Sequence, residues 1–238
     1  MTRTYKRILV FRIGQLGDTI IALPAYTALR QNFPGAHLSL LSAVYPGQNY
    51  VSPAEVMPEG IFNDYVSYQA AGLNPLCNLF LHLRKAQYDA VAYLYPRGRP
   101  KFLMLRDIFF FRLAGIRGFI GTRAWEALPQ RAHGQPLPPL SYEVDYLLSR
   151  LASSGISLRC SPKEGMDLHL TQNEISEADK WIRSNIPADK QGFMVAVSPA
   201  SKMRSKMWPE ERFASLGSIL ARDHGLFPVV FGGAGDRE

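Results

Sequence analysis

Asp18 is a carboxylate placed where a strand-like run hands over to a helix-like one. Ile8 to Phe11 is short and apolar, Gly14-Gln15-Leu16-Gly17 supplies a turn, and a helical pattern starts at Asp18. In an open α/β sheet, the carboxyl end of the first strand faces the ligand crevice. A carboxylate there can take a proton from a substrate hydroxyl. The same spacing also makes a tight turn with a capped helix, and one side chain can serve both ends. G-x-x-G-D lacks the G-x-G-x-x-G spacing of a dinucleotide site. No acidic residue closes the next strand either, where a ribose-binding carboxylate belongs, so a nicotinamide cofactor is not expected.

A second constellation lies far downstream. Ser198-Pro199-Ala200-Ser201 and Lys206-Met207-Trp208-Pro209 stand between a strand-like run and a helix start. A helix amino terminus with a nearby lysine and hydroxyls suits an anion such as a phosphate, although the same residues describe a solvated surface loop. Gly232-Gly233-Ala234-Gly235, ahead of Asp236 and Glu238, is a weaker phosphate-approach signal of the same type. Arg97-Gly98-Arg99-Pro100-Lys101 follows another strand-like run, on the same side of the expected sheet as Asp18. Its default reading is a solvated loop, and its alternative is contact with acceptor phosphates. Leu103 to Leu113 holds Phe109, Phe110 and Phe111 in succession, with Arg106 and Arg112 nearby. Three consecutive aromatics cannot all face one core, so the segment reads as a packed helix or as a lipid-contacting one.

Several chemistries find no support. D-x-D, G-x-S-x-G and G-x-x-x-x-G-K-[ST] are all missing, and the five histidines show no ligand spacing. No metal site is therefore expected. Cys77 and Cys160 fit no metal or redox spacing and read as reduced thiols. The formal charge of +7 favours acidic partners. The aromatics do not interleave with a basic stripe, so nucleic acid is not the expected one. No run reaches the roughly 18 apolar residues of a membrane span. Arg12 and Asp18 interrupt the apolar amino-terminal segment, which argues against a signal peptide and for the cytoplasm.

Positioning these residues requires a repeating scaffold. Tyr5–Ile13 and His37–Leu41 read as strands around a helix from Asp18 to Asn32, with Pro24 ending its first turn or kinking it. Strand and helix then alternate: 61–68, 76–85, 90–95, 101–113 and 119–120, with a loop over 121–139 and a helix over 142–153. Alternation of this kind implies α/β architecture with a parallel sheet. Residues 157–170 are mixed and polar and read as a linker. Thr171 and Glu174 then form a capping box, and strands over 193–198 and 226–231 flank a helix over 209–223. Two strands are too few for a stable parallel sheet, so the chain reads as part of a longer protein. Alternatively, the last two strands join the edge of the first sheet.

"ILVFRIGQLGDTIIALPAYTALRQNFPGAHLSLL" resembles the opening of the family 9 glycosyltransferases, the heptosyltransferase family of lipopolysaccharide core assembly. "VAVSPASKMRSKMWPEERFASLGSILARDHGLFPVVFGGAGDRE" resembles the entry to that family's donor domain, and "SYEVDYLLSRLASSGI" its inter-domain region. The resemblance implies a GT-B architecture of two Rossmann-like domains, here 1–158 and an incomplete 159–238. It implies inverting transfer of a sugar, typically heptose from an ADP-sugar, to a lipid-linked or other glycan acceptor. No cofactor beyond that donor is implied, and a peripheral contact with the cytoplasmic face of the inner membrane is admitted. Asp18 matches the family's proposed base, and the glycines ahead of it would let the acceptor come close; Gly14, Gln15, Gly17, Arg97 and Arg99 are together the expected acceptor-side residues. Lys206 matches a phosphate-contacting lysine and Ser201 a hydroxyl beside the diphosphate. Ser198 belongs to the same donor loop, and Glu238 matches an acidic position near the donor ribose. The family's second domain continues past Glu238, so weak donor binding and little turnover are expected of this chain alone. The alternative function is a non-catalytic Rossmann-like module that binds an acidic glycan or a protein partner.

Overall fold

The computed structural model describes residues 4–44, 51–69, 72–130, 133–136, 138–201 and 204–233. They form two compact units, 1–169 and 170–238. The first unit is built on five parallel strands: β1 (Arg7–Phe11), β2 (His37–Val44), β3 (Asp64–Gln69), β4 (Ala90–Tyr93) and β5 (Gly118–Ile120). Their order across the sheet is β3-β2-β1-β4-β5, with Val10 of β1 opposite Leu40 of β2 and Ala92 of β4. A doubly wound sheet of this order buries both faces, which is why its strands read as continuous apolar runs.

Alternation along the strands assigns side chains to two cores. Ile8, Val10, Leu38, Leu40, Ala90 and Ala92 face the helices α2 (Leu23–Asn32) and α5 (Glu143–Ala152). Leu9, Phe11, Leu41, Val91 and Tyr93 face the helices α3 (Leu73–Ala86) and α4 (Lys101–Leu113). The helical pattern after β1 is two helices rather than one: α1 (Leu16–Ile21) stops at Ala22, and α2 starts with Pro24 in its first turn. Proline has no N–H to continue the α1 ladder, and its fixed φ suits a helix start.

The stretch after α5 is laced onto α2. Asn32 Nδ2 donates to the Ser157 carbonyl at 2.7 Å, the Arg159 N–H donates to Gln31 Oε1 at 2.8 Å, and Thr27 Oγ1 donates to the Gly165 carbonyl at 3.4 Å. A Cβ on Gly165 would sit 3.3 Å from Pro24. Polar residues read as a linker thus belong to the first unit.

The second unit opens with α6 (Gln172–Asn185), whose capping box is formed: Thr171 Oγ1 accepts from the Glu174 N–H, and Glu174 Oε2 accepts from the Thr171 N–H at 2.7 Å. β6 (Met194–Val197), α7 (Glu210–His224) and β7 (Phe227–Val230) follow. β6 and β7 pair in parallel with each other, as a sheet separate from the first. They do not extend the first sheet's edge. Among the described residues of this unit, only Ile186 is buried.

Candidate functional site

In the first sheet, connections leave β1 toward β2 on one side and β4 toward β5 on the other. That reversal opens the crevice at the carboxyl ends of β1 and β4. Asp18 follows β1, and Arg97 and Arg99 follow β4, so the topology brings these expected site residues to the carboxyl end of the sheet, at the neighbouring strands β1 and β4.

Asp18 is the third residue of α1 and is half-buried. Its Oδ2 accepts the Gln15 N–H at 2.8 Å. Gln15 therefore serves through its backbone, as the residue capping α1. Gly14 is required for this arrangement, because a Cβ there would lie 2.3 Å from Asp18 Cβ and 2.7 Å from Oδ2. Gly17 differs: it is exposed, and a Cβ would meet nothing within 4 Å. The cap uses one carboxylate oxygen. Among the described residues, Oδ1 accepts no hydrogen bond, so proton transfer from a substrate hydroxyl is compatible with the cap.

Arg12 holds the frame beneath. Its buried guanidinium donates to the Asp18 carbonyl through Nε and Nη2, at 3.2 and 3.0 Å. Through Nη1 it donates to the Leu94 carbonyl at 3.0 Å and to Glu143 Oε1 at 3.2 Å. One side chain thus ties the start of α1, the end of β4 and the first residue of α5. Tyr26 lies below, with a buried hydroxyl that has no hydrogen-bond partner among the described residues. Burial above all, opposed by Arg12 and reinforced by Asp18, raises its pKa and keeps the phenol neutral.

Arg97 and Arg99 are not the solvated loop that their composition suggests. The Arg97 guanidinium sits 4.5 Å from the Tyr146 ring centroid, donates to Ser141 Oγ at 2.7 Å and to the Ser141 carbonyl at 3.0 Å, and pairs with Glu126 at 3.4 Å. Arg99 lies 3.9 Å over Tyr95 and is ion-paired with Asp107. Tyr93 also donates to Asp107, at 2.9 Å, and burial followed by that carboxylate raises the Tyr93 pKa. The turn itself is pinned: Trp125 Nε1 donates to the Arg99 carbonyl at 2.9 Å, and Leu128 packs on Gly98, which has φ +88°. Nε of both arginines is buried without a partner among the described residues.

Arg12, Asp107 and Arg150 escaped the reading of the sequence. Arg150 is fully buried; its Nε donates to the Gly121 carbonyl at 2.7 Å, its Nη2 to that same carbonyl, and its Nη1 to the Tyr95 carbonyl at 3.0 Å. Its signal was a charge three residues after Leu147, on the apolar stripe of α5. A cation placed on a buried face must find acceptors.

On the donor side, Ser198 and Ser201 follow β6, and Lys206 closes a short 3-10 turn at Arg204–Lys206 before α7. Ser198 and Lys206 are exposed and Ser201 is half-buried. Glu210 and Glu211 occupy the first turn of α7. Their charge already offsets the helix dipole, so that terminus is a weaker anion site than its dipole alone would make it. Gly232 and Gly233 are described, whereas Ala234, Gly235 and Glu238 lie outside the described residues. Among the described residues, no group of three or more His, Cys, Asp or Glu could hold a metal ion.

No protein-family model matches the sequence, and no curated protein matches it. Solved structures do. A glycosyl transferase family 9 structure from Veillonella parvula superposes with a TM-score of 0.68 at 19% identity, over 100% of this chain and 65% of its own. The E. coli heptosyltransferase WaaC with ADP-2-deoxy-2-fluoro heptose gives a TM-score of 0.54 at 19% identity, over 96% of this chain and 69% of its own. WaaC with ADP gives 0.53 at 19% identity, covering 68% of its own chain. The chain thus spans about two-thirds of the length of these structures, and its mixed α/β fold is the one they share, that of the GT-B glycosyltransferases.

Proposed function

We propose that the protein of which this chain is at least a part is an inverting glycosyltransferase of the family 9 type. It moves a sugar, heptose in the leading reading, from an ADP-sugar to a glycan acceptor of the lipopolysaccharide-core kind. The observation that carries the reading is Asp18: a carboxylate at the switch point of the sheet, fixed through one oxygen by a backbone N–H and with the other oxygen accepting no hydrogen bond among the described residues. Asp18 takes the proton of the acceptor hydroxyl while that oxygen forms a bond to the anomeric carbon. The bond from that carbon to the diphosphate oxygen breaks, and ADP leaves with the electron pair. Negative charge grows on the diphosphate in that step, and preorganised cations and hydroxyls lower the barrier there. Lys206, Ser201 and Ser198 are assigned that task, and Glu238 the donor ribose.

The test is Asp18→Asn in the full-length protein with ADP-heptose and a phosphorylated core acceptor. Asparagine keeps a carbonyl oxygen for the Gln15 N–H but cannot act as a base. We expect transfer to fall by about 100-fold or more, with donor affinity unchanged. Near-normal turnover in the variant leaves Asp18 as a cap only. Lys206→Ala tests the other half and is expected to weaken ADP binding at least severalfold. A wild-type protein that binds phosphorylated glycan but transfers no sugar in any longer form favours the non-catalytic module instead.

A further inference from the structure

α4 is apolar on two opposite sides. Met104 and Phe111 turn inward to the sheet. Phe102, Leu105, Phe109 and Leu113, spaced by three, four and four, form a stripe on the far side, with Phe102 69% and Phe109 63% exposed. The three consecutive phenylalanines are thus divided: Phe111 in, Phe109 out, and Phe110 between, its ring 6.0 Å from Phe80 of α3. α3 repeats the pattern, burying Leu79 and Leu83 while Leu73 is 80% and Leu81 64% exposed. Between the two helices lies a shallow apolar groove of about 330 Å³, lined by Leu76, Cys77, Phe80, Leu81 and Phe110. A helix that is apolar on two faces needs two partners, and the sheet is only one of them. A contiguous apolar surface across two helices marks an interaction site.

The charges around this surface select the partner. Lys101, Arg106 and Arg112 on α4, and Arg84 and Lys85 on α3, are exposed. α3 contains no carboxylate at all, and the single one on α4, Asp107, is buried against Arg99 and Arg106. Arg84 lies along the Phe80 ring at 5.8 Å and Arg112 along Phe119 at 5.4 Å. Their stems stay close to apolar surface while their heads reach outward. Aromatic and leucine side chains flanked by cations, with no exposed carboxylate on either helix, fit the headgroup and acyl boundary of an anionic bilayer. Two copies of the chain meeting through this face would bring like charges together across a symmetric contact. We propose that the outer face of α3 and α4 is a docking surface for an anionic lipid membrane.

Co-sedimentation of the chain with vesicles tests this, using phosphatidylglycerol–phosphatidylcholine mixtures against pure phosphatidylcholine at 0.1 M salt. The expected result is binding that rises with the phosphatidylglycerol fraction and weakens severalfold at 0.5 M salt. It should fall at least tenfold in Phe102→Ser/Phe109→Ser. Thermal unfolding of that variant reports whether the fold survives. Lys101→Glu/Arg112→Glu, which leaves the apolar stripe intact, provides a second reading and should also abolish the preference for phosphatidylglycerol. Equal binding to neutral and anionic vesicles overturns the proposal, as does binding indifferent to both variants. A concentration-dependent dimer that the serine variant dissolves, without vesicle binding, also overturns it and makes the face a contact between copies. Vesicle binding is read without sugar transfer, so its failure leaves the role of Asp18 untouched.

Discussion

Gly14 and Gly17 look alike in the motif but do different physical work. The Gly14 position is closed by the Asp18 side chain, with Oδ2 only 2.7 Å from where a Cβ would stand. Gly14→Ala must push the carboxylate off the Gln15 N–H, and it should cost activity together with some stability. Gly17 has open space around it and ordinary φ, and alanine is the better helix former. Gly17→Ala should leave the melting temperature unchanged or slightly raised. Under the proposed function, any loss of transfer in that variant then reports crowding of the acceptor itself. Paired thermal unfolding and acceptor KM measurements on the two variants separate these effects. If Gly14→Ala is fully active, a carboxylate at this position is not required.

At the scale of elements, Arg150 joins α5 to the loops after β4 and β5 through the Tyr95 and Gly121 carbonyls. Arg150→Met fills much of the volume but takes the guanidinium donors from the buried Gly121 carbonyl, and an unmet buried carbonyl costs about 1–3 kcal/mol. The expected cost is at least that, about 1–3 kcal/mol, read as a lower urea midpoint for the first unit. A loss of stability under about 0.5 kcal/mol would show that the carbonyl finds another donor. The rhythm of strands and helices was readable from the chain because its signals are local. Pro24 marked the break between α1 and α2, Pro34 and Gly35 the stop after α2, and Thr171 with Glu174 the start of α6. The surroundings of Arg97 and Arg99 were not readable. Their partners Asp107, Tyr146, Ser141 and Trp125 come from other turns of the chain, and a basic, glycine-containing segment has the composition of a solvated loop. Nor does composition show that Gln31, Asn32 and Thr27 of α2 bond to Arg159, Ser157 and Gly165 in the stretch that reads as a linker.

At the scale of the whole molecule, the two units differ in what they bury. The first encloses two apolar cores, one on each face of its sheet. The second has only Ile186 buried among its described residues, while Phe193, Ile219 and Val230 are exposed. Amide exchange should therefore be slow in β1 and β4, approaching the rate set by global unfolding. It should be much faster in β6 and β7, whose hydrogen bonds lie near solvent. Deuterium uptake resolved by peptide measures this directly. Comparable protection in both units would mean that burial does not control opening here.

Arg12 also sets a limit on redesign. Its planar fork reaches three acceptors that belong to separate stretches of the chain, and a lysine offers one rotating point charge in its place. If the crevice has the proposed transfer function, swapping the loops around it to change the substrates succeeds only if that hub is carried over intact. Without it, the two strand tips are free to drift apart, and a catalytic group displaced by a single ångström can lose about two orders of magnitude in rate.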